Sequence, residues 1–149
     1  MLVEDSIPFR KLLRAVIEES GSAEVVSEVG SVAAAHFLLH VNPVDVLVLD
    51  LHLWDGDGCA VLTEVKRIHP ACVVMVLTSS STPEHRDHCL RLGADYFFDK
   101  TCDLARIPEV LAGLGQVPRD SLLPPAPAPP PQPESGGAAP VSSDQRSLS

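Results

Sequence analysis

The chain has 149 residues, 45% of them hydrophobic, and a formal net charge of −9. That length supports one sizeable core and one domain. The negative balance argues against direct contact with nucleic acid or an anionic membrane, so any output must pass through another protein. No run approaches the length of a membrane span. Cys59, Cys72, Cys89 and Cys102 contain no C-x-x-C pair and follow no signal-peptide pattern. They read as small apolar fillers in a reducing, cytoplasmic setting.

Strand and helix patterns alternate up to about Gly115. Leu2-Val3 opens a first strand, and the acid pair Glu4-Asp5 follows it directly. Phe9, Leu13, Val16 and Ile17 then recur at i, i+4, i+7 and i+8, which puts them on one face of a first helix. Ser6 is placed to cap that helix, Pro8 sits in its first turn and Gly21 stops it. Ala23 to Val29 reads as a second strand, Val32 to His40 as a second helix and Val44 to Asp50 as a third strand.

Asp50 ends the apolar run Val46-Leu47-Val48-Leu49, ahead of the turn Leu51-His52-Leu53-Trp54-Asp55-Gly56-Asp57-Gly58. Val61, Leu62, Val65 and Ile68 mark a third helix closed by His69-Pro70. A fourth strand runs from Cys72 to Thr78. Pro83 opens a fourth helix ending at Leu92-Gly93, Asp95 to Phe98 forms a short fifth strand ahead of Lys100, and a last helix begins near Ile107 with Pro108 at its first position.

Five βα units predict an α/β fold: a doubly wound, five-stranded parallel sheet in the flavodoxin-like order 2-1-3-4-5. In that order the ends of strands 1, 3, 4 and 5 converge, each delivering a polar group: Glu4-Asp5, Asp50, Thr78 and Lys100. Crevices at the carboxyl edge of such sheets hold ligands. Residues 1–116 form the domain. Residues 117–149, with the run Pro124-Pro125-Ala126-Pro127-Ala128-Pro129-Pro130-Pro131-Gln132-Pro133, read as a disordered Pro-rich tail, with a spacer or docking segment as the alternative.

Five segments taken in order resemble the receiver domains of two-component response regulators: Val3-Glu4-Asp5-Ser6, Leu47-Val48-Leu49-Asp50-Leu51, Asp55-Gly56-Asp57-Gly58, Val76-Leu77-Thr78-Ser79 and Gly93-Ala94-Asp95-Tyr96-Phe97-Phe98-Asp99-Lys100. The resemblance implies a stand-alone, non-enzymatic switch that accepts a phosphoryl group on Asp50 from a sensor histidine kinase or a histidine phosphotransfer protein. It implies Mg²⁺ held by Glu4, Asp5, Asp50 and the backbone carbonyl of His52, with Lys100 and the Thr78 hydroxyl contacting the phosphoryl group. Ser79, being small, leaves room for its entry. Such chemistry needs cations around the charge spread over the equatorial oxygens, and Mg²⁺ suits a few carboxylates and a carbonyl. Inward movement of Thr78 and rotation of Phe97 would switch the face made by the fourth helix, fifth strand and fifth helix, where a downstream protein docks. His52 and Ser80 would set the lifetime of the phosphorylated state.

Each residue also has a plain structural reading. Asp50 and Thr78 end strands, Glu4-Asp5 caps a helix, Lys100 is a surface charge and Phe97 a core aromatic. His36 with His40, and His85 with His88, lack the third ligand of a zinc site. A calcium loop starting at Asp55 meets Lys66 at its twelfth position instead of Glu.

The pattern is departed from in three places. Trp54 stands where the family commonly has proline; packing over its loop is the expectation, with altered access of a partner or donor to the site as the alternative. Thr101 follows Lys100 where a cis proline is usual; without proline a cis bond costs about 3 kcal/mol, so the site either holds that strain or sets the lysine differently. Only Met1-Leu2-Val3 precede the acid pair although strands average about five to six residues, which suggests a start a few apolar residues upstream.

Two other functions compete: a receiver-shaped interaction module independent of phosphate, and an Asp-nucleophile phosphatase of the haloacid dehalogenase type. The second needs an Asp where His52 stands.

Overall fold

The computed structural model describes residues 1–115. Twelve elements follow one another: β1 (Leu2–Val3), α1 (Ile7–Glu19), β2 (Glu28–Val29), α2 (Val32–Val41), β3 (Val46–Asp50), β4 (His52–Leu53), β5 (Gly56–Asp57), α3 (Gly58–Ile68), β6 (Val73–Thr78), α4 (Pro83–Arg91), β7 (Tyr96–Asp99) and α5 (Arg106–Gly115). The main sheet is parallel in the order β2-β1-β3-β6-β7. Counting only its strands, that is the expected 2-1-3-4-5. β4 and β5 form a small antiparallel hairpin inserted after Asp50. The expected tail over 117–149 lies outside the described residues.

The helices start where side chains can satisfy the first free N–H groups. Ser6 accepts from Phe9 N at the head of α1, Ser31 from Ala34 N at α2, Asp57 from Cys59 N at α3 and Thr82 from His85 N at α4. Gly21, at φ +71°, turns the chain out of α1 through the left-handed region. α5 begins one residue ahead of expectation, at Arg106, so Pro108 is its third residue.

Alternation along the strands divides the apolar side chains between two layers. Leu47, Leu49, Val74 and Val76 pack with Ala35 and Leu39 of α2, Val61, Leu62 and Val65 of α3, and Cys89 of α4. Val48, Val73, Met75 and Leu77 pack on the opposite face with Leu13 and Ile17 of α1 and Ile107 and Leu111 of α5. The sheet is therefore covered on both sides. Among the described residues, no helix is long and apolar enough to cross a membrane.

The second strand is shorter than the span Ala23 to Val29 predicted from sequence. A ladder forms only where a neighbour offers its own N–H and C=O groups, and β1 supplies two residues. Residues 23–26 instead pass β3 along a cleft of about 560 Å³ lined by Leu2, Val25, Val44, Val46 and Leu114. The other strand limits shift by one or two residues: β3 begins at Val46, β6 at Val73, and β7 runs Tyr96–Asp99. The filler reading of the cysteines fails at Cys102, which is exposed, while Cys72 and Cys89 are buried and Cys59 is half-buried.

Candidate functional site

Strand register builds the site at the carboxyl edge. Val3 pairs with Leu49, Asp50 with Leu77, and Thr78 with Asp99. The residues that follow or end these strands, Glu4-Asp5, Asp50, Thr78 and Lys100, are thereby brought to one edge. Glu4, Asp5 and Asp50 each present a carboxylate oxygen, all lying within 4.8 Å of one another. Glu4 is 1% and Asp50 4% exposed, while Asp5 is half-buried.

Lys100 leans across this cluster. Its Nζ donates to Asp50 Oδ2 at 3.2 Å, lies 2.7 Å from Glu4 Oε2 and sits 4.6 Å from the centre of the Phe9 ring. Its own N–H donates to the carbonyl of Thr78 at 3.0 Å, which fixes the base of the side chain against β6. Asp50 Oδ1 accepts from His52 N at 3.1 Å, and Glu4 Oε1 accepts from Ser6 N at 3.0 Å. Glu4 Oε2 is buried with no hydrogen-bond donor aligned on it, so its approach to Lys100 is an ionic contact and not a directed bond.

Burial pushes the Glu4 carboxyl above the usual carboxylate range. Lys100 and the Ser6 N–H offset part of that rise, and the charge of Asp50 adds to it. For Lys100, burial pulls the pKa down, but Glu4 and Asp50 outweigh it and the net shift is upward. Ionised, three carboxylates facing one ammonium leave a formal excess of two negative charges where solvation is poor. A divalent cation with a preference for hard oxygen ligands fits that excess.

Thr78 is fully buried, and its Oγ1 accepts from Ser80 N at 3.1 Å. Phe97 pairs with Val76, one alternation before Thr78 and Asp99, which makes it a diagonal neighbour of Thr78 on the same face of the sheet. It is buried in the layer shared with α2 and α3. The His52 side chain is exposed and lines a cavity of about 310 Å³ with Leu53, Asp57, Cys59, His85 and Cys89.

The departures from the family pattern acquire physical explanations. No peptide bond is cis among the described residues. Thr101 uses groups that proline lacks: its N–H donates to Asp99 Oδ1 at 2.7 Å and its hydroxyl to the same oxygen at 2.5 Å. The other Asp99 oxygen accepts from Ser81 Oγ, and Asp99 N donates to Asp103 Oδ2. Asp99 thus ties the loop after β6 to the loop that carries Lys100. These bonds from Ser81 and Thr101 hold its carboxyl at about 2. Sequence reading missed this tether; the Asp99-x-Thr101 spacing, which allows a local carboxylate-to-backbone turn, was its only trace.

Trp54 overturns its expectation. It is 77% exposed at the tip of the β4–β5 hairpin and does not pack over the loop. Its neighbour Asp55 accepts from Val32 N at 2.7 Å and Ala33 N at 3.1 Å, and Asp57 caps α3, so both aspartates of the calcium-loop motif serve helix ends. His40 pairs with Glu64 at 2.9 Å, and His85 Nδ1 lies 3.0 Å from the carbonyl oxygen of Ser80.

Comparison with known proteins agrees with this geometry. The photosynthetic apparatus regulatory protein RegA of Cereibacter sphaeroides is 30% identical over 125 residues, covering 84% of this chain and 65% of RegA. A protein-glutamate methylesterase/protein-glutamine glutaminase of Gluconobacter oxydans is 32% identical over 119 residues, 77% of this chain and 33% of that protein. The chain spans less than two thirds of the length of both relatives. A solved two-component response regulator of the LuxR family from Aurantimonas superposes with a TM-score of 0.69 at 26% identity, covering 76% of this chain and 84% of that one. The model of the response regulator receiver domain matches residues 1–112, from the strand that delivers Glu4 to the helix that closes the sheet, and the chain belongs to that family.

Proposed function

We propose that this chain is a phosphoaccepting switch that works as a single receiver unit over residues 1–116, followed by the Pro-rich tail 117–149. Asp50 is the acceptor. One of its carboxylate oxygens attacks the phosphorus of a phosphohistidine on a sensor histidine kinase or histidine phosphotransfer protein. A P–O bond forms, the P–N bond breaks, and the imidazole leaves with the electron pair.

Glu4, Asp5, Asp50 and the His52 carbonyl are the residues that would hold Mg²⁺, which when bound neutralises charge on the phosphoryl oxygens. Lys100, already anchored through its N–H to Thr78, moves its ammonium from Glu4 and Asp50 to a phosphoryl oxygen. The Thr78 hydroxyl donates to another, and Phe97, its diagonal neighbour, takes up the space released. The altered face of α4, β7 and α5 then meets a downstream protein in the cytoplasm. The chain transforms no other substrate.

The observation that carries this reading is the largely buried acidic cluster of Glu4, Asp5 and Asp50, with two negative charges in excess of the single Lys100 ammonium paired to Glu4 and Asp50. A site kept only for shape would have no reason to retain so costly a constellation. Intact mass after incubation with Mg²⁺ and acetyl phosphate tests it. The natural chain should gain one phosphoryl group and Asp50→Asn none; a folded natural chain that gains nothing defeats the proposal.

A further inference from the structure

Trp54 is the only tryptophan of the chain, and the most exposed of the large apolar side chains among the described residues. Its presentation is fixed. The register pairs Leu53 with Gly56, so Trp54 and Asp55 form a two-residue loop, and both carboxylate oxygens of Asp55 are tied to backbone N–H groups of α2. The hairpin tip is therefore clamped at the edge of the sheet that holds Asp50, and the indole is left facing outward. Tryptophan is enriched at protein–protein interfaces, where its large ring buries area.

We propose that Trp54 is a docking contact for the phosphohistidine protein that loads Asp50, and that it helps to select that protein. The inference rests on the phosphoacceptor reading of the site. Trp54 is four residues on from Asp50, so the two Cα atoms lie at most about 14 Å apart. A protein partner of ordinary size covers about 800 Å² on each side, a disc about 16 Å in radius. Asp50 is buried, so a donor's imidazole must reach into the crevice while the surrounding donor surface presses on its rim. Centred on Asp50, that footprint is wide enough to reach Trp54. Tryptophan at such a position contributes through area buried in a hollow of the partner, with little side-chain entropy to lose. A small phosphodonor has no such footprint.

The test compares two donors on the full chain with Mg²⁺: acetyl phosphate, and the purified phosphohistidine protein that loads the natural chain fastest. Trp54→Ala is expected to lower kcat/KM with the protein donor at least tenfold, chiefly through KM. Trp54→Phe, which keeps an aromatic surface, should recover most of that loss. Val41→Ala, which removes an exposed apolar side chain at the far end of α2, is the control and should leave both rates as they are. An equal loss with both donors, or no loss with the protein donor, overturns the proposal. So does a natural chain that acetyl phosphate loads and no phosphohistidine protein does. A natural chain loaded by neither donor removes the phosphoacceptor reading itself.

Discussion

Gly58 and Asp50 are in backbone contact: a Cβ added at Gly58 would overlap the Asp50 carbonyl oxygen and stand 2.8 Å from Leu51 Cα. Gly58 N donates to the Leu51 carbonyl at 2.8 Å, so the first residue of α3 is drawn against the end of β3. The absence of a side chain there allows the acceptor strand and the hairpin to close on the helix. The atoms in the way are backbone, which cannot turn aside as a flexible side chain can.

Gly58→Ala should therefore lower stability by about 1–3 kcal/mol, as overpacking does, and displace the Asp50 carboxylate. Urea denaturation and the rate of loading by acetyl phosphate measure the two effects together. A variant with natural stability and rate would show that this contact relaxes freely.

The acidic cluster predicts a stabilising metal. With a cation bound only to the folded chain, Mg²⁺ at ten times its Kd should raise stability by about 1.4 kcal/mol. Glu4→Gln removes one charge from the excess and should shrink that increment. Because burial raises the Glu4 carboxyl above its ordinary value of 4.5, protons should begin to compete with Mg²⁺ from above that pH, and affinity should fall as pH falls through the raised value. Titration calorimetry at several pH values tests both statements.

Asp99 and Glu64 set a pH window on stability. Ser81 and Thr101 hold Asp99 at about 2, against an ordinary 3.8, and Arg67 with His40 holds Glu64 at about 2, against 4.5. Depressed carboxyls favour the folded state when ionised. Their contribution is complete above the ordinary values and is lost as pH falls through about 2. Both groups are only half-buried and in reach of solvent, so salt should weaken the effect. Thr101→Val removes one donor and should move the Asp99 titration upward, as carbon-13 NMR of the carboxyl would record.

The thiols should react in a set order. Cys102 is exposed, whereas burial pushes Cys72 up to about 11 and Cys59 up to about 12. Iodoacetamide followed by mass spectrometry at pH 8 should label Cys102 first and leave Cys72 and Cys59 slow until the chain is unfolded. Equal rates in the folded protein would contradict the burial of those two residues.

Much of this protein was written in local patterns. Apolar runs such as Val73 to Leu77, each closed by a polar residue, specify strands and their carboxyl ends. Alternation with amphipathic helices then restricts the sheet to an order in which Glu4, Asp5, Asp50, Thr78 and Lys100 share one edge. Ser6, Ser31, Asp57 and Thr82 cap their helices through bonds only two or three residues long, so the chain order alone carries them.

Tertiary structure decided what depends on partners distant in sequence. Lys100 meets Glu4 across nearly the whole domain, Ser81 meets Asp99 across two loops, and Asp55 meets the head of α2 twenty-three residues before it. The extent of β2 was set by the two residues of β1 beside it and not by the β-forming character of Ala23 to Val29. Trp54 is apolar in composition yet exposed, because a tether on its neighbour turns the hairpin tip outward. Periodicity records which face a residue prefers; the groups available on that face are supplied by other elements, and only the assembled chain brings them together.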